Sequence, residues 1–317
     1  MNLENIKLVA EEFDRLNWNF KSEYINGHEE LVSQWLGKPD EDIMVCIYDG
    51  NSINEPYHRQ DFFFFNYTWK GHYYIYNNNP KKLIAVNPYD IHIAQPFNGY
   101  ALINKNKEEF IVIGILIKKE VFIKELLPSI SSDLNMFKFL LDPSTKNTSN
   151  ASFHFNFQSK ALEAILDLII SAYLSKSNKR IELMKSLAVS FLLIVFDEYN
   201  SRNKKAKNHT LIDQLLSYIA CNSNNVSLEI LASHFGYHPN YISKLIHEKT
   251  GKSFKQLLLK EKMERADILL KNTDMSIDSI STMLGYNDTS SFYKAYKNQF
   301  GKTPRHIGLS KTKESRK

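Results

Sequence analysis

A repeat near the end of this 317-residue chain limits what it can fold into more than any other feature. The segment SLEILASHFGY at 227–237 aligns with SIDSISTMLGY at 276–286 at an offset of 49. Beyond the turn the offset becomes 50, pairing Ile242 with Phe292, Lys244 with Lys294 and Gly251 with Gly301. A supersecondary unit present twice has to be one that can be built twice. Each copy reads as an amphipathic helix, a Gly at its C-terminal turn, and a second helix opened by Pro239 in one copy and capped by Asp288 in the other. Gly takes the left-handed conformation a sharp turn needs, Pro suits the first helical position, and a short carboxylate accepts orphan N–H groups. That order is helix-turn-helix.

In the second helix of each copy the spacing turns Tyr241, Ile242, Leu245 and Ile246, or Phe292, Ala295 and Tyr296, toward a core. Asn240, Ser243, Lys244 and His247 are left outward, with Thr289, Ser290, Tyr293, Lys294 and Lys297 as their counterparts. Short amides and hydroxyls near a helix start reach base edges in a major groove, and ammonium groups further along reach phosphate. The charge distribution agrees. Residues 201–317 carry 20 basic and 10 acidic side chains, whereas residues 1–200 carry 20 and 25, so the chain's net +5 is a −5 portion joined to a +10 portion. A solvated helical hairpin would also have a polar face, but duplication with a basic excess favours a polyanion partner.

The sequences LEILASHFGYHPNYISKLIHEKTGKSF (228–254), LLLKEKMERADILLKNT (257–273) and SIDSISTMLGYNDTSSFYKAYKNQFGKTP (276–304) together resemble the C-terminal DNA-binding domain of the AraC/XylS family of bacterial transcription regulators. The resemblance spans Leu211 to Pro304. It implies two recognition helices in successive major-groove segments of promoter DNA, held apart by the connecting helix. Their base- and backbone-facing positions fall on Pro239, Asn240, Ser243 and Lys244, and on Thr289, Ser290, Tyr293 and Lys294. It also implies RNA polymerase as a partner and activation as the commoner mode. Two departures stand out: Lys262 replaces the connecting helix's usual Arg, and Ile307-Gly308 replace an aromatic-Arg pair. Neither recognition helix contains Arg, so the commonest reading of guanine is missing, and readout through A·T contacts, shape and phosphate is expected.

From Ile43 to Ile117 short β-type runs alternate with turn chemistry, the pattern of a sandwich or small barrel. This segment resembles the cupin-like ligand-binding barrel of the same family. A metal-holding cupin presents two His one residue apart, a carboxylate and a later His. Here His58 and His92 remain, but Gln60 stands for the second His and Phe64 for the carboxylate. No metal or other cofactor is therefore expected. His58, Gln60, Tyr67, Trp69, Tyr89 and His92 are the candidate ligand contacts, supported by Tyr74 and Tyr76. Aromatic faces with amide and imidazole edges suit a sugar or another small polar effector. Phe62–Phe65 read as core.

The expected class is α+β multidomain: a barrel over 1–157 with flanking helices, a helix pair over 158–199 that dimerises the chain, a linker over 200–208, and an all-α DNA-binding domain over 209–308. One stripe comprises Ala161, Leu162, Ile165, Leu168 and Ile169. The other comprises Leu183, Met184, Leu187, Phe191, Leu192 and Val195. Cys46 and Cys221, the only cysteines, cannot supply a disulfide framework, a thiolate zinc site or the nucleophile of an alkylation-repair enzyme. No Ser-His-Asp, paired-carboxylate or phosphate-loop pattern argues for an enzyme. The acidic start MNLENIKLVAEEF is no signal peptide, and the longest apolar run, Leu187 to Phe196, is about half the ~20 residues of a span. A cytoplasmic, ligand-controlled DNA-binding regulator is the expectation, with a ligand-independent regulator whose barrel only dimerises as the alternative.

Overall fold

The computed structural model describes residues 1–16, 20–25, 28–51, 53, 55–105, 107–130, 140, 152–205, 210–223, 226–273 and 275–304. They fall into two compact units, Met1–Leu127 with Pro143–Tyr199 and Pro128–Asp142 with Asn200–Lys317. The chain is α+β, with the strands in the first unit and the helix-turn-helix repeat in the second.

The first unit opens with α1 (Leu3–Asp14), capped by the Asn2 side chain, which accepts from the Glu4 and Asn5 N–H groups. Ten strands follow: β1 (Phe20–Ile25), β2 (His28–Ser33), β3 (Ile43–Gly50), β4 (Arg59–Gln60), β5 (Phe63–Lys70), β6 (Tyr73–Asn77), β7 (Leu83–Val86), β8 (Asp90–Ala94), β9 (Tyr100–Ile103) and β10 (Phe110–Ile117). A helical turn α2 (Lys119–Val121) and a π-type turn (Phe122–Leu126) come next; α3 (Leu127–Ile130) falls mostly in the second unit, and β11 (Ser152–Asn156) belongs to the first. Two longer helices close the unit, α4 (Lys160–Leu174) and α5 (Arg180–Lys205). The hairpin β1-β2 and strand β11 lie outside the predicted strand segment. Polar sequences such as KSEYI and HEELVS carry little apolar signal, and no residue of β1 is fully buried.

The strands form a five-stranded sheet in the order β11-β8-β5-β10-β3, a three-stranded sheet β7-β6-β9, and a smaller sheet β1-β2-β4. Between the first two lies one core, in which Met44, Phe64, Leu116 and Ala94 from the larger sheet meet Tyr73, Ile75, Val86 and Leu102 from the smaller. A bridge between His58 and Tyr100 stitches an edge of the interior. All eight residues of β10 are buried, because the outer face of the larger sheet is covered as well. Phe65 there meets Phe191 of α5 edge-on at 6.1 Å, which explains why FIVIGILI reads as a continuous apolar run without alternation. The aromatic run Phe62–Phe65 is buried throughout, on alternate faces.

The two long helices are present, with their stripes rotated from the expected ones. On α4 the buried positions are Leu162, Leu166, Ile169, Ile170 and Ala172, while Ala161 and Leu168 are exposed. On α5 they are Met184, Ala188, Phe191, Leu192, Val195 and Phe196, with Leu183 exposed and Leu187 half-buried. Both stripes cover the sheet. The expected linker is partly helix: α5 runs unbroken to Lys205, through its first six residues, because NSRNKK contains neither Gly nor Pro to stop it. The rest of that linker, and the stretch Ile307-Gly308, lie outside the described residues.

In the second unit α6 (Leu211–Cys221) begins in a capping box between Thr210 and Asp213. It is followed by α7 (Leu228–Phe235), α8 (Pro239–Thr250), the connecting α9 (Phe254–Asn272), α10 (Ile277–Met283) and α11 (Thr289–Phe300). Leu215, Ile219, Leu231, Ile242, Ile246 and Phe254 form the core of the first half. Arg265, 2% exposed on α9, donates to the Ala220 carbonyl at 2.5 Å and so ties α9 to α6. Gly236 and Gly285, at φ +72° and +76°, make the two tight turns of the repeat, as the sequence required. No helix among the described residues is long and apolar enough to cross a membrane.

Candidate DNA interface and ligand pocket

The second unit offers two candidate recognition helices of matching construction. Along α8, Asn240, Lys244 and His247 are exposed, with Pro239 and Ser243 half-buried beside them. Along α11, Ser290, Lys294 and Lys297 are exposed, with Thr289 and Tyr293 half-buried. Residues at i, i+3, i+4 and i+7 share one helix face, so each helix presents a continuous polar and cationic stripe. Ile242 and Ile246, or Phe292 and Tyr296, anchor the opposite face with no exposed surface. Tyr241, expected in the core, is instead 49% exposed and stacks on Tyr237 at 5.1 Å. Its counterpart in the repeat is Ser291, and a position that alternates between Tyr and Ser need not be buried.

The helix starts differ. His238 caps α8, its Nδ1 accepting from the Asn240 N–H at 3.2 Å, a role the sequence reading did not assign. Asp288 caps α11 as expected, accepting from the Ser291 N–H at 2.7 Å and the Ser291 hydroxyl at 2.8 Å. Those hydrogen bonds hold its carboxyl below the usual range. Thr289 donates its hydroxyl to Asp278 of α10 at 2.7 Å, so this side chain is oriented by the first helix of its own motif. Lys262 lies with its ammonium 5.4 Å from the centre of the Tyr286 ring, and burial there pushes its pKa down. It therefore packs against the turn of the second copy, a cation–π contact within the fold.

The strand unit contains the second candidate site. Cross-strand register aligns Cys46 with Gly114, Gly114 with Asn66, Asn66 with His92, and His92 with His154, a belt across all five strands of the larger sheet. Above and below it the inward positions are largely apolar, as with Met44, Leu116 and Phe64. Gly114 is required in the belt because a Cβ there would sit 2.4 Å from the Cys46 sulfur. Above this floor is a cavity of about 40 Å³ bordered by Glu55, Gln60, Asn66 and Tyr100, with Phe13 of α1 at its edge. At roughly 10–15 Å³ per water this space has room for about three waters.

The predicted ligand contacts divide between two faces. His58, Gln60 and His92 are buried within the sandwich, at 1%, 5% and 2% exposure. Tyr67 and Trp69 share the opposite face of β5, as period-two alternation from Asn66 and Thr68 dictates, and the Tyr67 hydroxyl reaches Glu163 of α4 at 3.4 Å. Tyr89 sits half-buried in a left-handed turn at φ +69°, and Tyr74 and Tyr76 lie on the less buried face of β6. These aromatics do not join the His58–Gln60 cluster. Reading the strands by parity would have replaced them with Asn66 and Tyr100, which the motif comparison overlooked.

Inside, His58 Nδ1 lies 2.8 Å from the Pro56 carbonyl, so this nitrogen carries the proton and Nε2 accepts. Gln60 Nε2 lies 3.1 Å from that Nε2 and must donate to it, which leaves Gln60 Oε1 buried without a partner. Both ring nitrogens of His92 also lack partners, and burial drives its pKa down to about 3, so it is neutral. Asn66 donates its amide to the Tyr100 hydroxyl at 3.2 Å. Glu55 accepts from the Leu102 N–H at 3.2 Å, and burial raises its pKa to about 7. Among the described residues, no group of three or more His, Cys, Asp and Glu side chains has the geometry to hold a metal ion.

Comparison with known proteins places residues 231–308 in a family described as a helix-turn-helix domain. The chain is similar to the transcriptional activator PerA of Escherichia coli O127:H6, 28% identical over 185 residues, which are 57% of this chain and 62% of that protein. It is similar to the Msm operon regulatory protein of Streptococcus mutans, 28% identical over 149 residues, covering 47% of this chain and 50% of that one. The regulatory protein PocR of Salmonella typhimurium is 35% identical over 106 residues, about a third of each chain. The chain thus spans about half to three-fifths of the first two relatives. Among solved structures, apo ToxT from Vibrio cholerae aligns with 84% of this chain and 97% of its own at 16% identity and a TM-score of 0.38.

Proposed function

The C-terminal domain of this chain is an AraC-type helix-turn-helix domain, and from that premise we propose that the protein is a sequence-specific regulator of transcription that binds promoter double-stranded DNA through α8 and α11. One observation carries the reading: two helices built from different residues present the same stripe, exposed at Asn240, Lys244 and His247 and half-buried at Ser243 in one, exposed at Ser290, Lys294 and Lys297 and half-buried at Tyr293 in the other. With no Arg on either stripe, hydroxyls and amides read bases while ammonium groups hold phosphate. The relatives are regulators, which supports a regulatory over a catalytic role, and activation is the mode we assign. RNA polymerase is the partner this mode requires, and the cytoplasm its place of action.

Control belongs to the strand unit. Buried acceptors and a neutral imidazole without partners, beside a mainly apolar cavity bordered by Glu55, Gln60 and Asn66, support a small polar organic effector, of which sugars are one class, rather than a unit that only dimerises. A ligand larger than a few waters has to displace Phe13 of α1, which gives binding a route to a structural change. The domain boundaries we propose are 1–157, 158–199, 200–208 and 209–308, with the first six residues of the 200–208 connection continuing the α5 helix. Homodimerisation is assigned to the outer side of the 158–199 helices, where Leu168, Leu183 and Leu193 are exposed. Leu187→Glu is then a dimer variant, but Leu166→Glu is not, because Leu166 has no exposed surface and its substitution strikes the fold.

Hydroxyl-radical footprinting of promoter DNA tests the reading. Two protected patches about one helical turn apart are expected. Asn240→Ala should relax base preference in one patch and Ser290→Ala in the other. A single patch, or base preferences unmoved by both variants, would reject a double recognition-helix reader. A sedimenting species of monomer mass at micromolar concentration, with and without DNA, would remove the dimer.

A further inference from the structure

The strand unit's cavity has a chemical bias that narrows what it can hold. Its wall contains one ionisable carboxyl, Glu55, and no basic side chain among the described residues. Glu55 is fixed in place by two hydrogen bonds with β9, its N–H donating to the Leu102 carbonyl and its Oε2 accepting from the Leu102 N–H, both at 3.2 Å. No ion pair is made to it by any described residue. The titratable groups that face it are the thiol of Cys46 on β3 and the hydroxyls of Tyr73 on β6 and Tyr100 on β9. Burial pushes all three upward, so none is charged near neutrality, and the nearby His58 is held neutral by burial too.

Of the other polar groups, Gln60 and Asn66 supply amide oxygens, and the Tyr48 and Tyr100 hydroxyls can accept or donate. In the chain Pro56 carbonyl, His58, Gln60, one Gln60 amide hydrogen goes to the imidazole, and Oε1 is left as a buried atom without a partner. Asn66 spends its N–H on the Tyr100 hydroxyl, and its Oδ1 lies over Gly114, 2.9 Å from where a Cβ would be. The remaining wall is largely apolar, aromatic at Phe13, Tyr48, Phe64 and Tyr100 and aliphatic at Ile53, Leu102, Val112 and Leu116. Three oxygen acceptors, one of them ionisable, inside aromatic faces and without a competing cation are the recognition set for an ammonium group. A carboxylate ligand would meet Glu55 with no compensating charge, and a neutral polyol would donate to Glu55 without bringing a charge to offset its desolvation.

Taking the strand unit as the sensor proposed above, we propose that its effector is a small organic cation, a primary amine whose ammonium is held by Glu55, Gln60 and Asn66. Binding stabilises the ionised form of Glu55. Because that carboxyl otherwise titrates near 7, amine affinity should rise about tenfold between pH 6 and pH 8 as the competing proton leaves.

Three probes of similar size differ only in one end: ethanolamine, ethylene glycol and glycolate. Each is titrated into the full-length protein, alongside a pentose, with binding read by calorimetry and thermal shift. The expected result is saturable binding of ethanolamine alone, tightening about tenfold from pH 6 to pH 8 by the linkage above. In Glu55→Gln, which keeps shape and can still accept from Leu102, ethanolamine affinity should fall at least tenfold and lose its pH dependence. Near-ultraviolet circular dichroism of that variant guards against misfolding. Binding of the pentose or ethylene glycol without ethanolamine would overturn the cation assignment and leave the sensor reading standing. Binding of ethanolamine unchanged in Glu55→Gln would also overturn it, and no binding by any probe would count against both readings.

Discussion

Along α8 and α11 the sequence of buried, half-buried and exposed positions is the same at all twelve residues, from Pro239 to Thr250 and from Thr289 to Phe300, although Lys244 and Lys294 are the only identical pair. What the two copies share is class: apolar or aromatic at 242/292 and 246/296, small or polar at 243/293, Lys at 244/294. What they do not share is detail. The first copy is capped by an imidazole and fills its core with Ile246, and the second is capped by a carboxylate and places Tyr296 there. The lesson is that the fold constrains which face is buried, and the surface is then free to diverge toward different bases.

The comparison breaks most easily in the core. Ile242 and Phe292 occupy equivalent places with no exposed surface, so each truncation leaves a void that neighbours cannot fill. Ile242→Ala should cost about 2–5 kcal/mol and Phe292→Ala about 3–5 kcal/mol of stability in urea denaturation. A near-neutral result at one site alone would mean that copy is not packed as the other is.

Next in size is DNA binding. Lys244 lies 3.8 Å from Glu248, but both side chains are well exposed, and such a pair contributes little. Lys244→Ala and Lys294→Ala should therefore weaken promoter binding by similar amounts, about 1–3 kcal/mol each, and each should reduce the salt slope by about 1. A loss confined to one variant would show that a single helix does the reading.

The repeat was legible because its information is local: two turn glycines, helix caps and apolar residues at helical spacing lie within about fifty residues of one another. The strand unit was only half legible. Its strands from Ile43 to Ile117 stood out by composition, but β1 and β2 did not, since their polar sequences carry little apolar signal, and β11, SFHFN, alternates over only five residues. The site suffered most. Tyr67 and Trp69 are attractive by type but lie on the α4 side of β5, and only register across non-adjacent strands brings Asn66, Gly114 and Cys46 together. Glu55 sits in an irregular stretch before β4, where no periodicity marks which way a side chain turns. The same limit explains Leu166, whose burial depends on the sheet beneath α4.

A smaller effect separates the copies at 246/296. The Tyr296 hydroxyl donates to Asp267 of α9 at 2.7 Å, and Asp267 also accepts from Lys271 at 2.5 Å. Ile246 has no equivalent link. Tyr296→Phe should cost about 1–2 kcal/mol, the value of a hydrogen bond to a charged, partly buried acceptor. Asp267→Asn should lose part of this, and the double variant should lose less than the sum. Full additivity would mean the hydroxyl does not tie α11 to the connecting helix.

The finest difference is at the caps, and pH resolves it. In the folded chain Asp288 is held below its ordinary pKa, first by the Ser291 N–H and then by the Ser291 hydroxyl. A group whose folded pKa is depressed contributes stability above its unfolded value, about 3.9 for Asp, and loses it as pH falls through the folded value. Acidification from pH 5 to pH 3 should therefore loosen the first turn of α11. The first copy has no carboxylate at that place, so α8 should not follow the same transition. Amide chemical shifts read this directly: the Ser291 N–H should move upfield over that range as its acceptor is protonated, and the Asn240 N–H should not move with it. Asp288→Asn keeps a capping oxygen without a titrating proton and should flatten the Ser291 curve. If Ser291 and Asn240 instead shift together in both proteins, the acid response belongs to the whole domain, and the caps are equivalent in spite of their chemistry.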